Sequence, residues 1–124
     1  MKILSPKSLA AAGPGYAQGV AANGAIYVAG QVSVGPNGAI EGKGDIAAQT
    51  RQTLDNVRQV LAEGGLGLSD IVSTTVYIKD LADYRVFAQT WCEVFGEHRP
   101  ARATVKADLV HPDLLVEVQA IAVK

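Results

Sequence analysis

The sequence predicts an α+β fold in which a mixed sheet of five to six strands carries two helices on one face. Three observations support this prediction. Strand-like and helix-like patterns follow one another along the 124 residues in the order ββ-α-β-α-ββ, after a short strand-like segment at the N-terminus. Two segments repeat apolar residues at helical spacing, and the final segment is apolar on both of its sides. Two amphipathic helices suffice to cover only one face of such a sheet.

The N-terminal part is predicted to form an edge strand, a loop and a hairpin. Residues 1–4 are the edge strand, and residues 5–18 form a loop rich in Ala, Gly, Pro and Ser. Residues 19–22 and 25–32 are short strands on either side of Asn23-Gly24, a pair of residues typical of a two-residue hairpin turn.

The first helix is predicted to begin after Asp45, which is suited to cap it, and to end at Gly64-Gly65. One side of this helix is expected to face the core, and the other side is expected to be polar. The core-facing set is Ile46, Thr50, Leu54, Val57 and Leu61, and the polar set is Gln49, Gln52, Asp55, Arg58 and Gln59.

A strand and a second helix are predicted to follow. Residues 72–78 form a β-branched run typical of a strand. Asp80 is expected to cap the second helix, and Gly96 is expected to end it. The predicted buried stripe of this helix comprises Leu81, Tyr84, Phe87, Ala88, Trp91 and Val94 or Phe95.

Two charged residues in the C-terminal quarter form the candidate site. Arg102 lies in the strand-like run 99–106, and Glu117 lies in the apolar run 115–123. A carboxylate in such a run is costly to bury unless it is paired or hydrogen-bonded. The short connection 108–114 predicts an antiparallel hairpin that brings Arg102 and Glu117 together. The pair is either a structural ion pair or a site for a small carboxylate and a water.

Composition limits the classes of function. The net charge of −1 does not favour binding to nucleic acid or to an anionic membrane surface. No apolar run is long enough to span a bilayer, and no signal peptide is evident, so one domain (residues 1–124) in the cytoplasm is expected. Cys92 is the single cysteine, and the two histidines, His98 and His111, lack the spacing of metal ligands.

The last strand also predicts an oligomer. Leu115, Ile121 and Val123 share one face of it with Glu117, and the opposite face is apolar as well. With both helices on one side of the sheet, the second face needs cover from another chain. The alternative is a monomer with a poorly covered sheet.

Six segments appear in the same order as in the Rid (YjgF/L-PSP) family, which the chain therefore resembles over residues 13–123. The segments are Gly13–Gln18, Ala29–Val32, Gln49–Val57, Asp70–Val72, Pro100–Arg102 and Val116–Ala122. The resemblance implies an α+β fold similar to chorismate mutase of the Bacillus type. It also implies a homotrimer with a barrel-like core of sheets and with pockets between its subunits.

The resemblance further implies a reaction. The best-known members of the family are deaminases that convert reactive 2-enamino or 2-imino acids, such as 2-aminoacrylate, to 2-keto acids and ammonia. Arg102 stands where their arginine binds the substrate carboxylate, and Glu117 stands where their glutamate activates a water. Tyr16, displaced by the inserted Gly15, matches a pocket tyrosine, and Gly30 allows close approach of the backbone to the ligand. No metal or cofactor is implied.

Some residues depart from the family pattern. Ala103-Thr104 replaces Ser-Cys after the arginine, so Thr104 is expected to contact the substrate through its backbone. Ala88 replaces a common asparagine, and Trp91 replaces a tyrosine, which changes the pocket wall. We expect these departures to affect which substrate is bound more than which type of reaction is catalysed.

Three alternatives to this deaminase stay open. The first is a trimer that binds small carboxylates without turnover. The second is a specialised relative that acts on 2-aminomuconate or 3-aminoacrylate. The third is a ribonuclease, suggested by the older family name, but the sequence lacks the basic face that would bind RNA.

Overall fold

The computed structural model describes all residues, 1–124, and confirms the α+β fold with one mixed sheet of six strands. The order of the strands across the sheet is β1-β2-β3-β6-β4-β5. The strands are β1 (Lys2–Leu4), β2 (Gly19–Ala22), β3 (Ala25–Val32), β4 (Ile71–Ile78), β5 (Ala101–Lys106) and β6 (Val116–Val123). The helices are α1 (Ile46–Glu63) and α2 (Tyr84–Phe95), and single 3₁₀ turns at Leu68–Asp70 and Leu81–Asp83 precede β4 and α2.

The predicted hairpin between the last two strands is wrong. β4 lies between β5 and β6, pairing in parallel with β5 and antiparallel with β6. Burial explains this order. Every second residue of β6, from Val116 to Ala122, is buried, whereas no residue of β5 is buried. An apolar strand is most stable with a hydrogen-bonded neighbour on each side, and a polar, partly exposed strand is suited to the edge of a sheet.

The predicted ends of α1 are confirmed. Asp45 has extended backbone angles, and its carboxylate accepts a hydrogen bond from the N–H of Ala48 at 3.0 Å. At the other end Gly65 adopts a φ of 81°, which favours glycine. The N–H groups of Gly65 and Leu66 donate to carbonyls of the last helical turn, the pattern of a Schellman motif.

The second helix begins later than the sequence predicts. Asp80 does cap a turn, since its carboxylate accepts from the N–H of Ala82, but that turn is 3₁₀ and α2 starts only at Tyr84. The predicted packing of Phe87, Trp91 and Phe95 is confirmed, because all three are buried in the core. The prediction is wrong for Leu81 and Tyr84, which are 60% and 41% exposed, because Leu81 lies in the 3₁₀ turn and Tyr84 is the first residue of α2.

The assignment of Gln49 to a polar outer side of α1 is wrong. Gln49 is fully buried, and its amide nitrogen donates to the carbonyls of Gly42 and Asp113. Its amide oxygen accepts from the N–H of Leu115 at 2.8 Å. A single amide therefore satisfies three backbone groups of two loops that run past the helix, which compensates for its burial.

The two faces of the sheet differ in their cover. The face under the helices is buried, and β6 contributes Val116, Val118, Ala120 and Ala122 to it. The opposite face, here called the open face, has no helix over it. Large apolar side chains exposed there by strand register are Ile3, Tyr27, Val105 and Val123. Neither helix is both long enough and apolar enough to cross a membrane.

Thr53 provides a test of the packing of α1. Its hydroxyl is buried without a hydrogen-bond partner. Thr53→Val keeps the shape and removes this cost, so we expect the free energy of unfolding to rise by about 1 kcal/mol and the midpoint temperature by a few degrees. Calorimetry on the parent and the variant measures both quantities.

Thr50→Val is the matched control. Thr50 is equally buried on the same helix, but its hydroxyl donates to the carbonyl of Ile46 at 2.8 Å. We expect this variant not to gain stability. Equal gains for both variants would contradict the assignment of an unsatisfied hydroxyl to Thr53.

Candidate active site

Arg102 lies on the helix-covered side of the sheet. In the register of the strands it stands beside Thr74 of β4, which in turn stands beside the buried Ala120 of β6. Neighbours across a sheet share a face, so the side chain of Arg102 extends toward α2. Because β5 is the edge strand, this side chain reaches the rim of the helical layer rather than the middle of the core.

Three aromatic residues of α2 hold the guanidinium of Arg102. Tyr84, Phe87 and Trp91, here called the aromatic stripe, place their ring centroids 5.9, 5.3 and 5.2 Å from its central carbon. One Nη nitrogen also donates a hydrogen bond to the hydroxyl of Tyr84 at 2.9 Å. These distances fall within the range of cation–π interactions. No carboxylate of the chain forms an ion pair with Arg102.

The apolar stripe of α2 is evident in the sequence, but its contact with the guanidinium of Arg102 is not. Tyr84, Phe87 and Trp91 follow one another at i, i+3 and i+7, a spacing that places them on one side of a helix. From the sequence, this spacing predicts core packing, with Trp91 also in the wall of a pocket, but no contact with Arg102. Arg102 of β5 lies over these rings only because of the order of the strands in the sheet. The spacing of residues along α2 does not predict that order.

Glu117 lies on the open face. It stands opposite Val32 of β3 and Tyr77 of β4. Between Val28 and Gln31 the pairing of β3 with β6 shifts register, so Ala29 and Gly30 form a bulge beside Glu117. A Cβ atom on Gly30 would lie 2.4 Å from a carboxylate oxygen of Glu117. Glycine at position 30 therefore provides the space in which this carboxylate lies.

The carboxylate of Glu117 is half-buried and has no partner in its own chain. It forms none of the ion pairs in the structure, which join Lys43 to Asp113, Arg51 to Glu93 and Arg58 to Asp55. Burial without a compensating charge disfavours the ionised form, and this desolvation raises the pKa of Glu117 above its ordinary value. Raised carboxyl pKa values are characteristic of acid–base groups, although structural carboxyls also show them.

Arg102 and Glu117 do not meet within one chain. Arg102 shares a face with Ala120, whereas Glu117, an odd number of residues from Ala120 on the same strand, projects from the other face. The expectation that a hairpin brings them together is therefore wrong, and so is the alternative of a structural ion pair. The insertion of β4 between their strands separates them.

Tyr16 lies in an anchored loop and is 58% exposed. The loop is joined to β3 beside the bulge, since the carbonyl of Gln18 accepts from the N–H of Ala29 at 2.9 Å. The amide of Gln31 also donates to the side-chain oxygen of Gln18 at 2.8 Å. These bonds fix the loop that carries Tyr16 to both sides of Gly30. The hydrogen bond between these two glutamines was not predicted from the sequence.

The residues that depart from the family pattern lie on both faces. Thr104 follows Arg102 by two residues and shares its face, beside Val76 of β4, whereas Ala103 lies on the open face. Ala88 is half-buried on α2 and packs against the core. A cleft of about 300 Å³ adjoins Arg102 at the end of α2. It is lined by Trp91, Cys92, Phe95, Gly96, His98, Arg99, Pro100 and Arg102.

The fold and these residues define a small α+β protein with an unpaired arginine under one face of its sheet and an unpaired glutamate on the other. The family model described as endoribonuclease L-PSP matches residues 6–124. The chain belongs to this family, the Rid or YjgF family that its sequence resembles, and the predicted membership is confirmed.

Individual relatives agree with this membership. A 2-iminobutanoate/2-iminopropanoate deaminase of Escherichia coli K12 is 41% identical, over 98% of this chain and 96% of its own. A 3-aminoacrylate deaminase, RutC, of Acinetobacter baylyi is 36% identical over 86% of this chain and 85% of its own. The crystal structure of the YjgF gene product of E. coli superposes with a TM-score of 0.92 at 38% identity, covering 100% of this chain and 99% of the other.

The raised pKa of Glu117 predicts that Glu117→Gln stabilises the protein and that this stabilisation depends on pH. Above the pKa values of both states the carboxyl is charged whether folded or unfolded, and the folded state bears the whole cost of desolvation. The variant should therefore unfold at a higher temperature than the parent at pH 7. As the pH falls, the folded carboxyl takes up its proton first, and below the ordinary pKa of 4.5 the difference should disappear.

Thermal unfolding of both proteins from pH 3 to pH 8, at one protein concentration, measures this difference. Asp70→Asn is a suitable control, since the carboxylate of Asp70 accepts a hydrogen bond from the N–H of Gly67 at 2.8 Å. It should destabilise the protein at neutral pH. A stability gain for Glu117→Gln that is the same at all pH values would contradict the desolvation argument.

Proposed function

We propose that this protein is a deaminase that hydrolyses 2-imino and 2-enamino acids to 2-keto acids and ammonia. The observation that carries the proposal is the unpaired state of both Arg102 and Glu117, which leaves one cation and one carboxylate free for a ligand. The relative named 2-iminobutanoate/2-iminopropanoate deaminase supports the choice of substrate, because it aligns with nearly the whole chain.

Arg102 is proposed to bind the substrate carboxylate. A guanidinium is charged at any working pH and offers a planar fork that matches a carboxylate. Its hydrogen bond to Tyr84 occupies only one of five N–H groups, so an edge with two donors stays available. Thr104, on the same face, is proposed to add a backbone contact.

Glu117 is proposed to act as the general base and then as the general acid. Its carboxylate takes a proton from water as the water oxygen bonds to the carbon of the protonated imine, the C=N electron pair moves to nitrogen, and a neutral tetrahedral carbinolamine forms. The protonated carboxyl then returns this proton to nitrogen. The C–N bond breaks and ammonia leaves as the C=O bond forms, and the carboxylate takes up the proton of the carbinolamine hydroxyl and passes it to solvent. Desolvation raises the pKa of Glu117, and a raised carboxyl pKa suits a group that must both accept and donate a proton.

The catalytic demand on these groups is small. Imines hydrolyse spontaneously in water, so positioning of the carboxylate and the water can supply the acceleration, and the proposal includes no metal or cofactor. Gly30 leaves space for Glu117, and Tyr16 is proposed to line the pocket beside the bulge.

The site is proposed to lie between two copies of the chain. Arg102 and Glu117 are on opposite faces of one sheet and cannot contact the same small substrate from one chain. A second copy that covers the open face would bring its α2 rim toward Glu117 and would bury Tyr27, Val105 and Val123. In a closed ring of identical contacts, every copy has its open face covered and its site completed by a neighbour. The resemblance to the family points to a ring of three.

A second candidate substrate is 3-aminoacrylate, which the RutC relative is named for. This enamine also has a carboxylate for Arg102, but its nitrogen is on the carbon one position farther away. Parallel assays on 2-aminoacrylate, 2-iminobutanoate and 3-aminoacrylate show which of the two substrate classes the protein hydrolyses.

Arg102→Ala is expected to remove the deaminase activity while the assembly and the fold persist. The substitution deletes the carboxylate anchor at a partly exposed edge, so we expect kcat/KM to fall by at least a hundredfold, the loss of a charge-assisted bidentate contact. Ammonia and keto-acid release from freshly generated 2-aminoacrylate measures it. Activity equal to that of the parent would refute the assignment.

Subunit mixing tests the composite site. Arg102→Ala and Glu117→Gln are each expected to be inactive alone. Co-expressed as a mixed trimer, they should recover about a quarter of the parent's activity, because one interface in four combines an intact Arg102 with an intact Glu117. Light scattering should give three times the 12.9 kDa mass of one chain. A trimer without recovered activity would show that the two residues do not share a site across subunits.

A further inference from the structure

The guanidinium of Arg102 has a defined position before any ligand binds. It lies over the aromatic stripe and donates to Tyr84, although its own strand is the edge of the sheet. An arginine at an edge ordinarily keeps its rotamer freedom, and ordering such a side chain has an entropic cost. Here contacts within the chain have already ordered it.

The contacts of the stripe divide into two kinds. Phe87 and Trp91 are buried and offer ring faces, which attract the cation but do not define its rotation. Tyr84 is 41% exposed and offers the single hydrogen-bond acceptor that the side chain of Arg102 has in this chain. That bond holds one Nη nitrogen at the Tyr84 hydroxyl and so limits the rotation of the guanidinium.

We propose that Tyr84 is a positioning residue for Arg102, and this inference rests on the deaminase function proposed above. By holding one Nη nitrogen, the Tyr84 hydroxyl occupies one of the five N–H donors of Arg102 and leaves a two-donor edge of the guanidinium ready for a carboxylate. Tyr84 does not touch the substrate in this proposal. It raises carboxylate affinity by lowering the ordering cost at the moment of binding.

The first test is Tyr84→Phe, which keeps the ring and removes only the hydroxyl. We expect KM for 2-iminobutanoate to rise about tenfold, because Arg102 must then be ordered when the ligand binds, with kcat within twofold of the parent. The Kd of 2-oxobutanoate, the keto-acid product, should rise by the same factor in calorimetry. Since Tyr84 is partly exposed, the unfolding temperature should stay close to that of the parent.

The second test is a double-mutant cycle with Arg102→Lys. A lysine lacks the fork, so its affinity for 2-oxobutanoate should be lower, and Tyr84→Phe should change that lower affinity less than twofold. An equal effect of Tyr84→Phe in both backgrounds would overturn the proposal, because Tyr84 would then act on the ligand independently of Arg102.

The measurements separate this proposal from the function on which it rests. If Arg102→Ala binds 2-oxobutanoate as tightly as the parent, Arg102 is not the carboxylate anchor and the proposed function fails. If Arg102→Lys weakens binding but Tyr84→Phe leaves both KM and Kd unchanged, the anchor stands and the positioning role of Tyr84 is refuted.

Discussion

The central position of β6 is the constraint on which the rest of the structure depends. Hydrogen bonds to β3 on one side and to β4 on the other fix the register of every residue in this strand. Its alternation then places Val118 and Ala120 under the helices and Glu117 on the open face. A shift of one residue would bury the carboxylate in the core and expose four apolar side chains, so the register is strongly specified.

That register brings Glu117 to a place where a carboxylate is unfavourable. The bulge at Gly30 makes space for it, but no cation or donor of the same chain compensates its loss of water. The same loss of water raises the pKa of Glu117, a property that acid–base groups and some structural carboxyls share. Arg102 shows the complementary arrangement, since ring faces and one hydroxyl hold its charge without neutralising it.

Local signals in the sequence were sufficient for the helices and for most strands. The caps of α1 at Asp45 and Gly65 depend on neighbouring residues only, and the aromatic spacing of α2 is likewise local. The order of the last strands depends on pairing across the chain, and the hairpin prediction failed there. The assignment of Gln49 to the polar side of α1 failed for the same reason. Its hydrogen-bond partners lie in loops, and two of these partners are more than 60 residues away along the chain. Arg102 and Glu117 were nevertheless singled out as candidates, because charges in strand-like runs are conspicuous whatever the order of the strands.

If the site lies between two copies, as proposed above, the separation of Arg102 and Glu117 by the sheet makes activity depend on protein concentration. A freshly synthesised chain would carry both groups and yet be inert, since each group faces a different neighbour. Turnover would then begin with association and would decline on dilution below the dissociation constant, in step with the covering of the apolar face. Mass action among identical copies would thus regulate the chemistry without any effector.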